Sequence, residues 1–462
     1  MKAYGLLTII IFTGLNFISP NIGIAESNEP NTTTTKTLEE RLADLEQKQK
    51  ILERQLEIER EASVEKAKTT PIITANSKDG FSIKSPSNDF VLRLRGLIQA
   101  DSRFVSGKND STATANDDTF LLRRLRPIFE GTVWKDVDFK FVPDFGGGTT
   151  SLQDAYLDFK YFPKAKLQVG RFKVPFGIER LQSSADTLFT ELALSSNLTP
   201  NYDVGAALHS ESLFNNKLSY AIGIFNGAAD NASSDSDVDG NKEYAARIFA
   251  EPWKGGDNSL LEGLGVGFAT TLGDKTGTTT STYKTVGQQT FFKYNSGVVA
   301  DGRHTRYSPQ LYYHYGSFGL LGEYVLSEQN VKRGTNSQSL KNKAWQVAAS
   351  YVLTGESASY KGVKPKNPFD PKTGKLGAFE LVGRMSQLNI DDNAFAGSTA
   401  SAIASSSTSA NAATAWGMGI NWYLNNNVKA SLDYEQTAFS GGSSSGDRQK
   451  ERAILARVQV TF

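Results

Sequence analysis

The chain has 462 residues, no cysteine, and 50 basic against 49 acidic side chains, a formal net charge of +1. That balance excludes bulk attraction to nucleic acid or to an anionic membrane surface, so any charge selectivity has to come from placement. Without cysteine there is no disulfide framework. A mean hydropathy of −0.36 and the lack, after the N-terminus, of the ~18 uninterrupted apolar residues of a spanning helix exclude a helical membrane bundle.

Lys2 precedes an apolar run from Leu6 to Ile18, and Gly23-Ile24-Ala25 then supplies small residues where a signal peptidase cuts. Residues 1–25 therefore read as an export signal, too short to span a bilayer. Residues 26–37 are a polar linker rich in Thr and Asn, with too little to bury. From there Leu38, Leu42, Leu45, Gln49, Leu52 and Leu56 recur at alternating spacings of four and three among Glu, Lys, Arg and Gln. This heptad pattern predicts a periplasmic coiled coil over 38–68, too short to be stable alone and suited to a stalk between copies. The competing reading is a lone amphipathic helix on a barrel mouth. Pro71 ends the helical pattern, and residues 69–89 are expected to be a second linker.

Beyond Phe90 the hydrophobic period falls to two. Phe90, Leu92, Leu94, Gly96, Ile98 and Ala100 alternate with Val91, Arg93, Arg95, Leu97, Gln99 and Asp101, one face for lipid and one for water. The pattern recurs in Phe379-Leu381-Gly383-Met385 and in Val428-Ala430-Leu432-Tyr434. It predicts an all-β transmembrane antiparallel barrel of about sixteen strands over 90–462. Tight turns at Asn215-Asn216, Gly316-Ser317 and Asn425-Asn426-Asn427 would be periplasmic. Long connections at 106–119, 230–241, 274–304 and 391–413 would be extracellular. Trp416 with Trp422, and Trp345 with Tyr351, lie six residues apart on one strand face, roughly 20 Å, as two interfacial girdles require. The closing segment ends on Phe462, with Val460, Val458 and Ala456 in its outward register and Thr461, Gln459 and Arg457 facing a lumen.

The same register sends Arg93, Arg95, Arg103, Arg124, Arg126 and Arg457 inward from the first, second and last strands, which are neighbours once the barrel closes. An always-charged planar guanidinium presents a fork of donors to an oxyanion, so these residues would form an anion-attracting stripe. Alternatively they neutralise lumen carboxylates such as Glu130, Asp154 and Asp158. Overall the inward positions hold about as many acids as bases, so the wall alone does not impose anion selectivity.

Leu122-Arg123-Arg124-Leu125-Arg126-Pro127 with Gly131, Asp154-Ala155-Tyr156-Leu157-Asp158-Phe159, Val169-Gly170-Arg171-Phe172-Lys173-Val174-Pro175-Phe176-Gly177 and Gly419-Ile420-Asn421-Trp422-Tyr423-Leu424-Asn425 give residues 80 to 462 a resemblance to the phosphate-selective porin O and P family. The resemblance implies a homotrimeric sixteen-stranded outer-membrane channel for inorganic anions such as phosphate, set among outer-membrane lipid and lipopolysaccharide. It also implies that the third extracellular loop, here 174–203, folds inward as the constriction. Lys173 and Arg180 are the basic residues at its start, against Glu179, Asp186, Glu191 and Asp203, so the loop is poor in base for a phosphate-specialised channel.

No catalytic residues, cofactor, metal or nucleic-acid partner are expected. His209, His304 and His314 are the only histidines, and no serine nucleophile motif accompanies them. The run Asp230 to Gly240 lacks a bidentate acid for calcium and reads as a solvated loop. A sugar channel would need a file of lumen aromatics, whereas only Tyr156 and Tyr312 read as inward. A general non-selective porin, or a barrel serving as adhesin or receptor through its Ser-, Thr- and Asn-rich loops, are the competing functional readings.

Overall fold

The computed structural model describes residues 37–76, 80–107, 118–256, 260–279 and 281–462. The predicted export signal, nearly all of the first linker and most of the first long loop lie outside them. Sixteen strands form the wall: β1 Val91–Ser106, β2 Thr119–Val133, β3 Val137–Asp144, β4 Ser151–Phe159, β5 Lys166–Lys173, β6 Tyr202–Leu213, β7 Leu218–Phe225, β8 Glu243–Ala250, β9 Leu264–Thr279, β10 Val298–Tyr315, β11 Phe318–Arg333, β12 Asn336–Val352, β13 Ala378–Asn389, β14 Ala410–Tyr423, β15 Val428–Ser443 and β16 Glu451–Thr461. Each pairs antiparallel with the next, and β16 pairs with β1 from Arg452↔Ser106 to Thr461↔Leu97, closing the barrel. Closure removes the edge that an open sheet would leave unpaired. The two-residue period is visible in β1, where Leu92, Leu94, Ile98 and Phe104 are exposed while Gln99, Asp101 and Arg103 are buried in the lumen.

The terminal aromatic has a built seat. Phe462 exchanges backbone hydrogen bonds with Gly96 (3.1 and 2.9 Å). Its ring lies where a Cβ on residue 96 would sit, 2.4 Å from that position, so only glycine fits beneath it. Phe81 meets the same ring edge-on at 6.3 Å.

Phe81 lies in residues 69–89, where the sequence predicts a linker and the structure has strands. Within 69–89, Ile72–Asn76 and Gly80–Lys84 form an antiparallel hairpin, and the second of these pairs with β1 from Phe81↔Leu94 to Lys84↔Val91. β16 ends opposite Leu97, which leaves the first residues of β1 with an open edge. The hairpin satisfies those backbone groups.

The 274–304 connection is also shorter than expected. β9 continues to Thr279 and β10 starts at Val298, and the intervening residues carry a small hairpin, Tyr283–Lys284 against Thr290–Phe292. Lys275, Thr276, Asp301 and Arg303 hid these strand ends from pattern reading, because apolar alternation marks a strand only where one face meets lipid.

α1 runs from Leu38 to Thr69, and all but its last residues belong to the other compact unit, which ends at Lys66. Thr37 and Glu40 cap it reciprocally: the Thr37 N–H donates to Glu40 Oε2 (3.0 Å) and the Glu40 N–H to Thr37 Oγ1 (3.4 Å). Leu42, Leu45, Leu52 and Leu56 are exposed on this helix.

Candidate functional site

The connection between β5 and β6, residues 174–201, packs against inward-facing side chains from three distant strands. Glu323 of β11 accepts from the Ile178 N–H (2.9 Å) and from Ser195 Oγ (3.2 Å). Asp433 of β15 accepts from the Thr190 N–H (2.7 Å). Arg384 of β13 donates to Glu179 Oε1 (3.3 Å), to the Glu191 carbonyl (3.0 Å) and to Glu435 of β15 (2.5 Å), with its guanidinium 4.2 Å over the Phe189 ring. Phe176, Ile178, Leu194 and Leu198 are buried: the first and the last two join a cluster with Val325, Ala344 and Leu388 of the wall, and Ile178 packs with Phe249 and Leu321.

Against the β1–β6 side this loop encloses a cavity of about 60 Å³ lined by Arg124, Arg126, Lys173 and Arg180, with Glu179, Gln182, Ser184 and Tyr202 completing much of its surface. A water needs about 10–15 Å³ measured this way, so the niche holds a few waters or one small oxyanion. Its four cations are compensated unequally. Arg126 Nε donates to Asp144 (2.7 Å) and its Nη1 to Ser184 Oγ (3.3 Å). Arg124 Nη1 donates to neutral Gln99 (2.7 Å), and its Nε has no hydrogen-bond partner among the described residues. Lys173 donates to the Gln182 carbonyl (2.8 Å), and Arg180 to Thr199 Oγ1, the Ser196 carbonyl and Asn231 Oδ1 (3.1, 2.7 and 2.9 Å). Among the described residues only Arg126 of the four has a carboxylate at ion-pair distance. Burial pushes Arg180 down to about 10, with Glu179 and Glu323 acting the other way, so it remains cationic at neutral pH. Glu179 is committed elsewhere, accepting from the Ala193 N–H, Ser196 Oγ, Gln346 and Arg384.

The other arginines of the expected stripe stand outside this niche. Arg95 pairs with Glu130 (3.1 Å), Arg103 with Glu191 (3.3 Å), and Arg457 grips Asp101 with two bonds (2.7 and 2.6 Å). Arg93 lies opposite Glu130 in the β1–β2 register. Asp154 pairs with Lys140 (3.3 Å) and Asp158 with His209 (3.1 Å). Arg124, Arg126, Lys173 and Arg180 are thus the predicted residues that come together.

Several lumen groups escaped the sequence reading. A bulge in β2 sets Gln99 opposite Arg124 but Ala100 opposite Leu122, leaving Arg123 as the extra residue. Strict alternation had put Arg123 outward, whereas it donates to both oxygens of Glu191 (2.7 and 3.2 Å). Burial pushes the Glu191 carboxyl up, but Arg123, with its hydrogen bond, then Arg457 and Arg124 outweigh burial and hold it well below the usual carboxylate range. Asp230, read as part of a solvated run, is buried. It accepts from Arg306 (2.7 Å), Tyr283 (3.1 Å) and Ser327 (2.9 Å), beside His304. Among the described residues no group of three or more His, Asp or Glu is placed to hold a metal ion.

Lys173 also borders a second, wider cavity of about 1000 Å³ at the end of the barrel that carries the β4–β5 and β6–β7 turns. Lys160, Lys166, Arg247, Lys254 and Lys361 line it with the acids Asp136, Glu211 and Glu251. The connection 353–377 reaches this cavity through Tyr360, whose carbonyl accepts from Gln182 (2.6 Å) and whose hydroxyl donates to the Ile178 carbonyl (2.5 Å).

Residues 92–462 match the family described as Phosphate-selective porin O and P. The chain belongs to this family. It is 25% identical over 439 residues to Porin O of Pseudomonas aeruginosa, covering 84% of this chain and 92% of that protein. Among solved structures, a loop L8 deletion mutant of the outer membrane protein OmpT of Vibrio cholerae superposes with a TM-score of 0.50 at 11% identity, over 81% of this chain and all of that one. The outer membrane channel DcaP of Acinetobacter baumannii gives 0.50 at 11%, over 82% and 99%. These two likenesses concern the fold. Together with the family match they make the protein a sixteen-stranded outer-membrane porin, a channel in the porin O and P family.

Proposed function

We propose that this porin conducts small hydrophilic anions passively and prefers phosphate-like oxyanions, with the niche of Arg124, Arg126, Lys173 and Arg180 as the selective station. The observation that carries this reading is that four basic side chains and one carboxylate, Glu179, line about 60 Å³, and among the described residues only Arg126 of the four has a carboxylate at ion-pair distance. Of the other arginines on this wall, Arg95, Arg103, Arg123 and Arg457 are matched by carboxylates, so its uncompensated positive charge concentrates at the niche. Guanidinium forks offer an oxyanion replacement for lost water, and several donors in sequence allow release where a single deep trap would not. The family description, phosphate-selective porin O and P, points the same way. Glu191, which occupies Arg103 and Arg123, favours a general porin as the second reading.

The test is competition in planar bilayers. Inorganic phosphate is expected to lower the chloride current saturably, and the pair Lys173→Met and Arg180→Gln to weaken that effect about tenfold or more, as loss of charge-assisted hydrogen bonds implies. A chloride current indifferent to phosphate would favour the general porin.

We also propose that three copies associate, that α1 stands in the periplasm as a coiled coil between them, and that the outward apolar band sits in outer-membrane lipid and lipopolysaccharide. A segment spanning 37–69 is expected to self-associate in sedimentation and to lose association with Leu45→Asp and Leu52→Asp, because core charges would be desolvated without partners. An unchanged oligomer in that variant would reject the stalk.

A further inference from the structure

The wide cavity beyond Lys173 is lined by rings as well as by charge. Phe249 and Tyr312 lie with centroids 5.0 Å apart, and Tyr312 stacks on Tyr360 at 5.4 Å and 25°. Arg247 sits over the other end of this run, 4.7 Å from the Phe249 centroid. Its Nε donates to neutral Gln310 (2.9 Å), and among the described residues no carboxylate lies at ion-pair distance from it. Lys166 and Lys361 also border the cavity without an ion pair among the described residues, whereas Lys254 is paired with Glu251 (2.6 Å) and Lys160 with Asp138 (2.7 Å).

No local sequence pattern groups these rings. Tyr312 comes from β10 and Phe249 from β8, while Tyr360 belongs to the 353–377 connection and is fastened to the 174–201 loop through the bonds to Gln182 and Ile178. The aromatic run is thus assembled before any solute arrives, which removes most of the ordering cost of binding. An inorganic oxyanion gains nothing from ring faces, and a neutral sugar accepts hydrogen bonds from Arg247, Lys166 and Lys361 but gains no charge attraction. A planar ring bearing a negative group uses both, stacking on the tyrosines while its anionic end meets the guanidinium. A volume of about 1000 Å³ admits such a molecule with room to pass, and the 60 Å³ niche does not.

We propose that this vestibule is a separate binding station for aromatic anions, aryl carboxylates or aryl phosphates, adjoining the phosphate niche at Lys173. The proposal rests on the reading of the lumen as an anion path, and the test keeps the two apart. Chloride current through the full-length porin is measured with inorganic phosphate, phenyl phosphate or cyclohexyl phosphate added to each side in turn. The two esters share headgroup and bulk, but only one has a π face.

From the side of the short turns, phenyl phosphate is expected to block at about tenfold lower concentration than cyclohexyl phosphate. Tyr312→Leu should erase that difference while the response to inorganic phosphate stays. Tyr360→Leu, outside the barrel strands, should also erase it and serves if the Tyr312 variant does not fold. Equal block by the two esters, or a difference that survives Tyr360→Leu, overturns the aromatic station. An ester difference of the expected size with no response to inorganic phosphate supports the station and overturns the phosphate niche instead.

Discussion

Replacing Arg384 with Met is expected to unfasten the lumen loop and to destabilise the barrel by about 3–5 kcal/mol, the usual cost of removing one member of a buried ionic group. The Arg384 side chain is 1% exposed and bridges Glu179 of the loop to Glu435 of β15, while also holding the Glu191 carbonyl. Without it, Glu179 and Glu435 stay buried with Asp433 nearby and no guanidinium between them. Methionine fills most of the volume against Phe189, so the loss is chiefly electrostatic and not a cavity. The readouts are the temperature at which the folded protein collapses and the single-channel conductance, which should rise as residues 174–201 leave the lumen. Adding Glu435→Gln to Arg384→Met should recover part of the stability. A variant as stable as the parent, with unchanged conductance, would mean that the apolar contacts of Phe176, Ile178, Leu194 and Leu198 hold the loop by themselves.

Changing Arg124 and Arg126 together to Gln keeps polarity and approximate length but removes two of the four niche charges. Anion-over-cation permeability is expected to fall, and to fall further at low salt, where the Debye length is about 10 Å at 0.1 M against about 3 Å at 1 M. High-salt conductance should change little, since pore dimensions are preserved. The single variants separate conduction from scaffolding. Arg126→Gln strips Asp144 of its 2.7 Å partner and should lower thermal stability. Arg124→Gln removes a charge bonded only to neutral Gln99, so it should lower selectivity with little loss of stability. Lost stability in both with unchanged selectivity would make these arginines a structural network.

The wall of this porin was legible from its sequence because each lipid-facing strand advertises itself locally, as Leu92, Leu94 and Ile98 do against Gln99 and Asp101. Phe462 was likewise readable as an outward aromatic, though its seat on Gly96 needed the register between β16 and β1. The niche was half legible. Arg124 and Arg126 followed from alternation and Lys173 and Arg180 from the family resemblance, but nothing local says that they meet, since the pairs come from β2, from β5 and from a loop. Arg123 was lost because one extra residue in β2 reverses the register, and a two-residue period cannot report its own phase slip. Asp230, Arg306 and Arg384 were missed because their partners lie from about fifty to two hundred residues away, and only closure of the barrel brings them together. The hairpin at 72–84 was missed for a related reason: what recruits it is the open edge that β16 leaves on β1, a property of the assembled barrel.

The basic side chains of the niche are expected to make the channel prefer anions despite a net charge of +1 on the whole chain. The direct measurement is the zero-current potential of the wild-type porin in a KCl gradient across a planar bilayer at low salt, with the Arg124→Gln/Arg126→Gln variant beside it. The expected result is a reversal potential of the sign set by chloride diffusion in the wild type and a shift toward zero or beyond in the variant. A wild-type potential of the sign set by potassium would contradict it and leave a porin whose acidic side chains, not its arginines, govern passage.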